Sequence, residues 1–268
     1  MDDFVDFYEH APDEVSEAPR LSMGLGRLEF IRTQEVIQRH LPPPPCDVLD
    51  VGGAAGVYSA WLGSLGYRTY LIDAVPRHVR QARQDARIAV AELGDARQLG
   101  RPDDSADAVL LMGPLYHLTE RADRLRALAE ARRVLHPGGF LFAAAISRFA
   151  SLLDSLARGF IDDPRFVSIL EEDLRTGQHR NTTGEPDYFT TAFFHHPDEL
   201  KAEVAGAGFT LAELVAIEGP GWLAPSFDER WADPARRKQL CDLVRFVEHE
   251  PSLMGLSPHL LAVGKKGT

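Results

Sequence analysis

The chain has 268 residues, 44% apolar and 26% charged, enough for one large domain or one domain with insertions. Its net charge of −11 argues against nonspecific binding to nucleic acid or to an anionic membrane, both of which favour a basic face. No apolar run approaches a membrane span, the acidic start MDDFVDFYEHAPDE lacks the layout of a secretory leader, and Cys46 and Cys241 sit in no metal-like spacing, so the expectation is a cytoplasmic protein in a reducing setting.

The first 20 residues read as polar and turn-rich. Leu25, Leu28 and Ile31 then follow a helical spacing from Gly24 to Leu41, stopped by four prolines at 42–45. CDVLDV is a short buried-strand run, and Val57, Ala60, Trp61, Ser64 and Leu65 share one face of the helix after it, which closes at Gly66. YRTYLID at 67–73 predicts a second strand, and Pro76 opens a helix with Val79, Ala82, Ala86 and Ala89 on its apolar face. A third strand is expected near Ile88 to Leu93, a fourth at ADAVLLM (106–112), and a fifth at FLFAAAI (140–146), after a helix carrying Leu125, Leu128, Ala131 and Val134 and an HPGG turn. Strands alternating with helices indicate a parallel sheet covered on both faces. Residues 147–195 contain no clean strand. A helix from Pro197 to about Gly208, the strand FTLAELVAI, an irregular stretch at 219–257 and the strand HLLAVGKK complete the chain. The organisation expected is a helical cap at 1–45, a core at 46–146, a lid insertion at 147–196, and a C-terminal part of the core at 197–268 interrupted by a second insertion at 219–257.

The first strand leads into a glycine turn, VLDVGGAAG, whose ligand can be narrowed by what is missing. A dinucleotide fingerprint needs G-x-G-x-x-G, yet Ala54 and Val57 stand where its second and third glycines belong. A phosphate loop would need Gly-Lys-Ser/Thr, which is absent. Asp50, just before the turn, would repel a pyrophosphate but can orient an ammonium directly or through water. Asp73 ends the second strand, where a carboxylate can accept both ribose hydroxyls. The pair suggests an adenosine ligand with an amino-acid tail.

The stretch from about 46 to 146 resembles the class I S-adenosylmethionine-dependent methyltransferases. VLDVGGAAG is similar to their first motif, YLIDAVP to the second, GDARQL to the acid-bearing segment after the third strand, LLMGPLYHL to the motif after the fourth, and RVLHPGGFLF to the fifth. Ala54 departs from the glycine more usual there. The resemblance implies a Rossmann-like α/β fold: a seven-stranded, mostly parallel sheet with helices on both faces, plus an N-terminal cap and lid insertions. It implies S-adenosyl-L-methionine as cofactor, with Gly52, Gly53 and Ala54 against the methionine part, Asp73 and Ala74 at the ribose, Asp95 and Ala96 at the adenine edge, and Met112 and Gly113 lining the other side. Tyr8, with Arg20 in the N-terminal segment, is expected to fold over the cofactor. Gly138 and Gly139 are expected only to shape a turn.

Methyl transfer from a sulfonium needs mainly proximity and alignment, and a base only where the acceptor must lose a proton. GPLYHL, directly after the fourth strand, must face the crevice at the strand ends, so Tyr116 and His117 are the acid–base candidates, against packing and helix capping as alternatives. His195 is a further candidate, while His196 before Pro197 is expected to cap a helix. No clustered acids suggest a metal, and none is expected. Eleven of the 23 aromatic residues fall between 147 and 231. Rings such as Phe149, Phe189, Phe193, Phe194, Trp222 and Trp231 either line a lid over a small aromatic or lipophilic acceptor or anchor the insertions to the core. The expected function is methyl transfer to an O, N or C nucleophile of a small molecule. A non-catalytic S-adenosylmethionine-binding sensor or partner subunit is the alternative, and a nicotinamide oxidoreductase is disfavoured by the missing glycines. Nucleic acid and membrane are not expected as partners, and oligomeric state stays open.

Overall fold

The computed structural model describes residues 3–10 and 17–268. Helices α1 (Asp3–His10), α2 (Glu17–Ser22) and α3 (Gly26–His40) precede β1 (Asp47–Val51). Of the first 20 residues, expected to be turn-rich, the described ones, 3–10 and 17–20, are helical. Phe4, Phe7 and Tyr8 supply the i, i+3, i+4 spacing that folds α1 onto the rest of the protein.

From β1 onward, strand and helix alternate. α4 (Val57–Ser64), β2 (Arg68–Asp73), α5 (Pro76–Ala82), β3 (Val90–Leu93), β4 (Ala106–Leu111), α6 (Pro114–His117), α7 (Arg121–Val134) and β5 (Leu135–Ile146) follow in order. β5 begins five residues earlier than FLFAAAI predicts. Leu135 already pairs with Ala106, and the HPGG segment is an irregularity in the ladder, with Gly138 at φ +82°. The stretch at 147–195 holds α8 (Ala150–Arg158), α9 (Pro164–Thr176) and a two-stranded ribbon of β6 (Gln178–His179) and β7 (Ala192–Phe193). α10 (Pro197–Gly206) and β8 (Phe209–Ala216) come next. The segment expected to be irregular contains α11 (Phe227–Ala232) and the 14-residue α12 (Pro234–Val247), and β9 (His259–Lys266) ends the sheet.

The main sheet runs β3-β2-β1-β4-β5-β9-β8. All pairs are parallel except the two made by β9. Side chains alternate across it, as strand geometry requires. Leu49, Val51, Val109 and Leu111 pack into one apolar layer, and Val48, Ala108 and Leu110 into the layer on the opposite face. Each such leucine, fully buried, contributes roughly 1.5–3 kcal/mol. Burial on both faces is why the central strands read as unbroken apolar runs.

This topology positions the site. The C-terminal ends of β1, β2, β3 and β4 open on one edge, where open α/β sheets bind ligands. Because β9 runs antiparallel, its first residue reaches that same edge, with His259 opposite Ile146 at the end of β5. Among the described residues no helix is long and apolar enough to cross a membrane.

Candidate active site

The turn after β1 approaches its neighbours too closely for side chains at two positions. A Cβ on Gly52, which sits at φ +69°, would fall 2.6 Å from the Pro114 ring. A Cβ on Gly53 would fall 2.5 Å from the Asp50 carboxylate. Ala54 adopts a left-handed φ of +49°, a conformation that costs a non-glycine residue about 1–2 kcal/mol. It is held there by Asp73, whose Oδ2 accepts the Ala54 N–H at 2.9 Å. The other oxygen, Oδ1, accepts the Val75 N–H at 2.8 Å and lies 3.1 Å from His78 Nδ1. Three partners leave Asp73 roughly one of its four lone-pair directions for a ligand hydroxyl.

A cavity of about 290 Å³ opens along this edge. Gly52, Gly53, Ala54, Asp73, Ala74, Asp95, Ala96, Met112, Gly113 and Tyr8 all line it, as do Tyr116 and His117. Asp95 grips the Arg97 guanidinium, and that pairing holds its carboxyl below the usual range.

Asp50 is absent from the wall. It is fully buried behind the turn, where its Oδ2 accepts the Ser59 hydroxyl at 2.7 Å and its Oδ1 has no partner among the described residues. Burial pushes its carboxyl up to about 6, the Ser59 bond acting against this and the Asp73 charge adding to it. Asp50, expected to orient the ligand's ammonium directly or through water, does not line the cavity: the close approach of Gly53 covers it, and its Ser59 bond braces the turn against α4.

His117 stands among four aromatic rings. It stacks on Phe4 with centroids 4.8 Å apart, meets Tyr8 and Tyr116 edge-on at 5.4 and 4.7 Å, and faces Phe189 at 6.3 Å. Burial pushes its imidazole down to about 4, with the charge of Asp73 and a hydrogen bond to the Thr191 backbone acting the other way. Its Nδ1 has no partner among the described residues. An imidazole that is neutral near pH 7 and has an unclaimed nitrogen is equipped to accept a proton. Tyr116 differs: burial raises its phenol well above the ordinary value, so it stays protonated and can hydrogen-bond or pack without acting as a base.

His195 does not reach the cavity. It is fully buried, its backbone continuing the end of β5 through an N–H to the Ile146 carbonyl, and its Nε2 lies 3.2 Å from Glu203. Glu203 also takes the Arg124 guanidinium at 2.8 Å, and Arg124 stacks over Phe193 at 3.7 Å. The expected catalytic position is thus a buried ionic cluster joining α7 to α10. His196 does cap α10, accepting the Asp198 N–H in a capping box with Glu199.

Several wall residues were not singled out from the sequence. Phe4 and Phe7 come from α1, His78 from α5, and Glu17 and Arg20 from α2; Arg20 was anticipated only as part of the covering segment. Phe189 reaches the cavity from the lid with φ +65° and ψ −175°, a region almost reserved for glycine. Asn181 secures that conformation by donating to the Phe189 and Glu185 carbonyls at 2.8 and 2.7 Å. His259 joins from the start of β9. Among the described residues, Glu29, Glu218 and His259 form one of two groups whose ligand atoms lie within 4.8 Å of one another, the other being Glu213, Glu248 and His249. In the first group Arg20 occupies both oxygens of Glu29, and Ser257 and the His259 backbone occupy Glu218.

An adenosine with an amino-acid tail fits these walls: the glycine turn admits close backbone approach, a spare carboxylate lone pair faces the cavity, and Ala96 and Met112 offer flat apolar flanks. A model described as a methyltransferase domain matches residues 49–143. A ubiquinone/menaquinone biosynthesis C-methyltransferase of Acidiphilium cryptum is 31% identical over 214 residues, covering 74% of this chain and 79% of that protein. A ubiquinone biosynthesis O-methyltransferase of Azorhizobium caulinodans is 26% identical over 212 residues, 75% of each. A solved S-adenosylmethionine-dependent methyltransferase of Methanosarcina mazei superposes with a TM-score of 0.59 at 19% identity, over 87% of this chain and 97% of that one. The chain belongs to the class I S-adenosylmethionine-dependent methyltransferases. It is an enzyme that uses S-adenosylmethionine as methyl donor.

Proposed function

We propose that the cavity takes S-adenosylmethionine along its Gly52–Asp73–Asp95 side and a small aromatic or lipophilic acceptor against its ring-lined side. The observation that carries this is the convergence of the glycine turn, Asp73 and the Phe4–Tyr8–His117–Phe189 rings on a single cavity. Bound S-adenosylmethionine supplies a methyl group on a positively charged sulfur. The backbone of Gly52 to Ala54 would hold the tail, Asp73 a ribose hydroxyl, Asp95 and Ala96 the adenine edge, and Met112 with Gly113 the opposite flank. Tyr8 would cover the cofactor.

His117 is placed to take a proton from the acceptor where one must leave, and the apolar rings around it exclude water from that step. Tyr116 would orient the acceptor as a hydrogen-bond donor. Residues 1–45 and 147–196 serve in this reading as cap and lid over a core of 46–146 and 197–268, with 219–257 as a second insertion. Both relatives described above act, by name, in quinone biosynthesis, which favours a planar, lipophilic acceptor over a macromolecule. The charge of −11 argues against nucleic acid as a substrate, and the reduced cytoplasm suits a chain with two unpaired cysteines.

Calorimetry tests the cofactor half. S-adenosylmethionine and its demethylated product should both bind, and reduced nicotinamide cofactors should not. Nicotinamide binding without a response to S-adenosylmethionine would end this reading.

A further inference from the structure

His259 was not expected at the site, and no step above uses it. The strand order places it three ladders from β1, on β9 beyond β4 and β5, which at about 4.8 Å per strand is roughly 14 Å across the sheet. The glycine turn, Asp73 and Asp95 all lie at the ends of β1, β2 and β3. His259 therefore faces the part of the cavity farthest from the adenosine side.

Its ring is held by one edge. Nδ1 lies 2.5 Å from Glu218 Oε1 and 3.5 Å from Glu29 Oε2, while Glu218 Oε2 accepts the His259 backbone N–H at 3.0 Å and the Ser257 hydroxyl at 2.8 Å. Arg20 clasps Glu29 and Glu17 from the other side, at 2.7 and 2.8 Å. These are the charged groups that face the ring from α2, α3 and the segment after β8. Burial works against protonation, but Glu29 and Glu218 outweigh it and hold the imidazole up to about 9. With Nδ1 committed to the carboxylates, the ring is left with Nε2, which has no hydrogen-bond partner among the described residues. About a quarter of the side chain is accessible (24%), and the residue lines the cavity.

We propose that His259 is a positioning residue whose Nε2–H donates a charge-assisted hydrogen bond to an anionic oxygen of the methyl acceptor, a carboxylate or phenolate. This rests on the cavity being the methyl-transfer site and adds a substrate class to it. The carboxylates lie on the Nδ1 edge, so a ligand oxygen meets the N–H before it meets their charge. The cofactor tail also carries a carboxylate, and its position on the β1 side assigns His259 to the acceptor instead. His117 and His259 then hold opposite protonation states on one cavity, a neutral ring able to take a proton and a cationic ring able to bind an oxygen.

The test uses wild type, His259→Gln and His259→Phe, each loaded with S-adenosylhomocysteine, and the probes benzoate, 4-hydroxybenzoate and benzylamine. Near neutral pH, wild type should bind the two anions at least about tenfold more tightly than the amine. His259→Phe should lose that preference, His259→Gln should keep part of it, and S-adenosylhomocysteine affinity should change little in either. Wild-type affinity for benzoate should decline as pH rises through about 9, and that of His259→Phe should not. An anion preference that persists in His259→Phe, or its absence in wild type, overturns the proposal. So does a loss of S-adenosylhomocysteine affinity in the variants with unchanged affinity for methylthioadenosine, which lacks the tail, because the histidine would then serve the cofactor. Failure of wild type to bind S-adenosylhomocysteine would overturn the cavity assignment itself. Should His259→Phe not fold, the Nε2–H resonance of ¹⁵N-histidine-labelled wild type decides: a shift on adding benzoate supports the proposal, and no shift overturns it.

Discussion

Asp73 accepts the backbone N–H of Ala54 at 2.9 Å, so the acid that ends the second strand also fixes the turn that follows the first. One carboxylate thereby couples two elements of the cavity wall. An alanine can occupy a left-handed position there because its N–H is claimed from across the sheet.

Asp73→Ala should consequently have two effects. Loss of a hydrogen bond from a charged group should weaken S-adenosylhomocysteine binding by roughly 1.5–3 kcal/mol. The unpaired N–H groups of Ala54 and Val75 should lower unfolding stability by about 1–3 kcal/mol. Calorimetry and denaturant unfolding check the two separately. Unchanged affinity in a folded variant would show that Asp73 does not meet the ribose.

His117 sets an acid limit. Its imidazole is held down to about 4 against an ordinary 6.5, so it stays neutral where a free histidine would charge. As the proposed general base, it should sustain kcat/KM well below pH 6.5, with the acid limb near pH 4. His117→Ala should lower kcat by about 10²-fold or more and leave cofactor affinity nearly unchanged. The linkage to stability has a definite sign: with the folded value depressed, the contribution is fully present above pH 6.5 and is lost as pH falls through about 4. The wild type should therefore lose more stability than His117→Ala over that interval in pH-dependent unfolding. A near-normal kcat for the variant on its true acceptor, across the pH range, would remove His117 from the chemistry.

The Arg124–Glu203–His195 cluster should matter to folding and not to catalysis. Glu203→Ala leaves the buried Arg124 without its carboxylate and should cost about 3–5 kcal/mol in unfolding experiments. His195→Ala should be destabilised yet keep kcat within about twofold of wild type at a temperature where it is folded. A loss of 10²-fold in kcat with intact stability would return His195 to the reaction.

What the sequence disclosed divides along physical lines. The core strands and the glycine turn were legible because burial on both faces imposes continuous apolar runs and close packing imposes glycine. The same local signals are present in two elements that read as irregular: Phe4, Phe7 and Tyr8 at helical spacing in α1, and Leu240, Cys241 and Val244 in α12, with Asp233 accepting the Ala235 and Arg236 N–H groups at its start. His259 carried no such signal. Its arrival at the crevice depends on β9 running antiparallel, which is a property of the whole sheet. His195 misled for a related reason, since adjacency to a capping histidine says nothing about which side of β5 a residue is buried on. The Asp50 placement turned on a single close approach, that of Gly53, which no spacing reveals.

The most direct measurement for the account as a whole is a crystal structure of the enzyme with S-adenosylhomocysteine. The adenosine should lie between Asp73 and Asp95, its sulfur should face the wall formed by Tyr116, His117 and Phe189, and free space should remain between that sulfur and His259. A nucleoside bound elsewhere, or a tail that fills the ring-lined side and leaves no room for an acceptor, would contradict it.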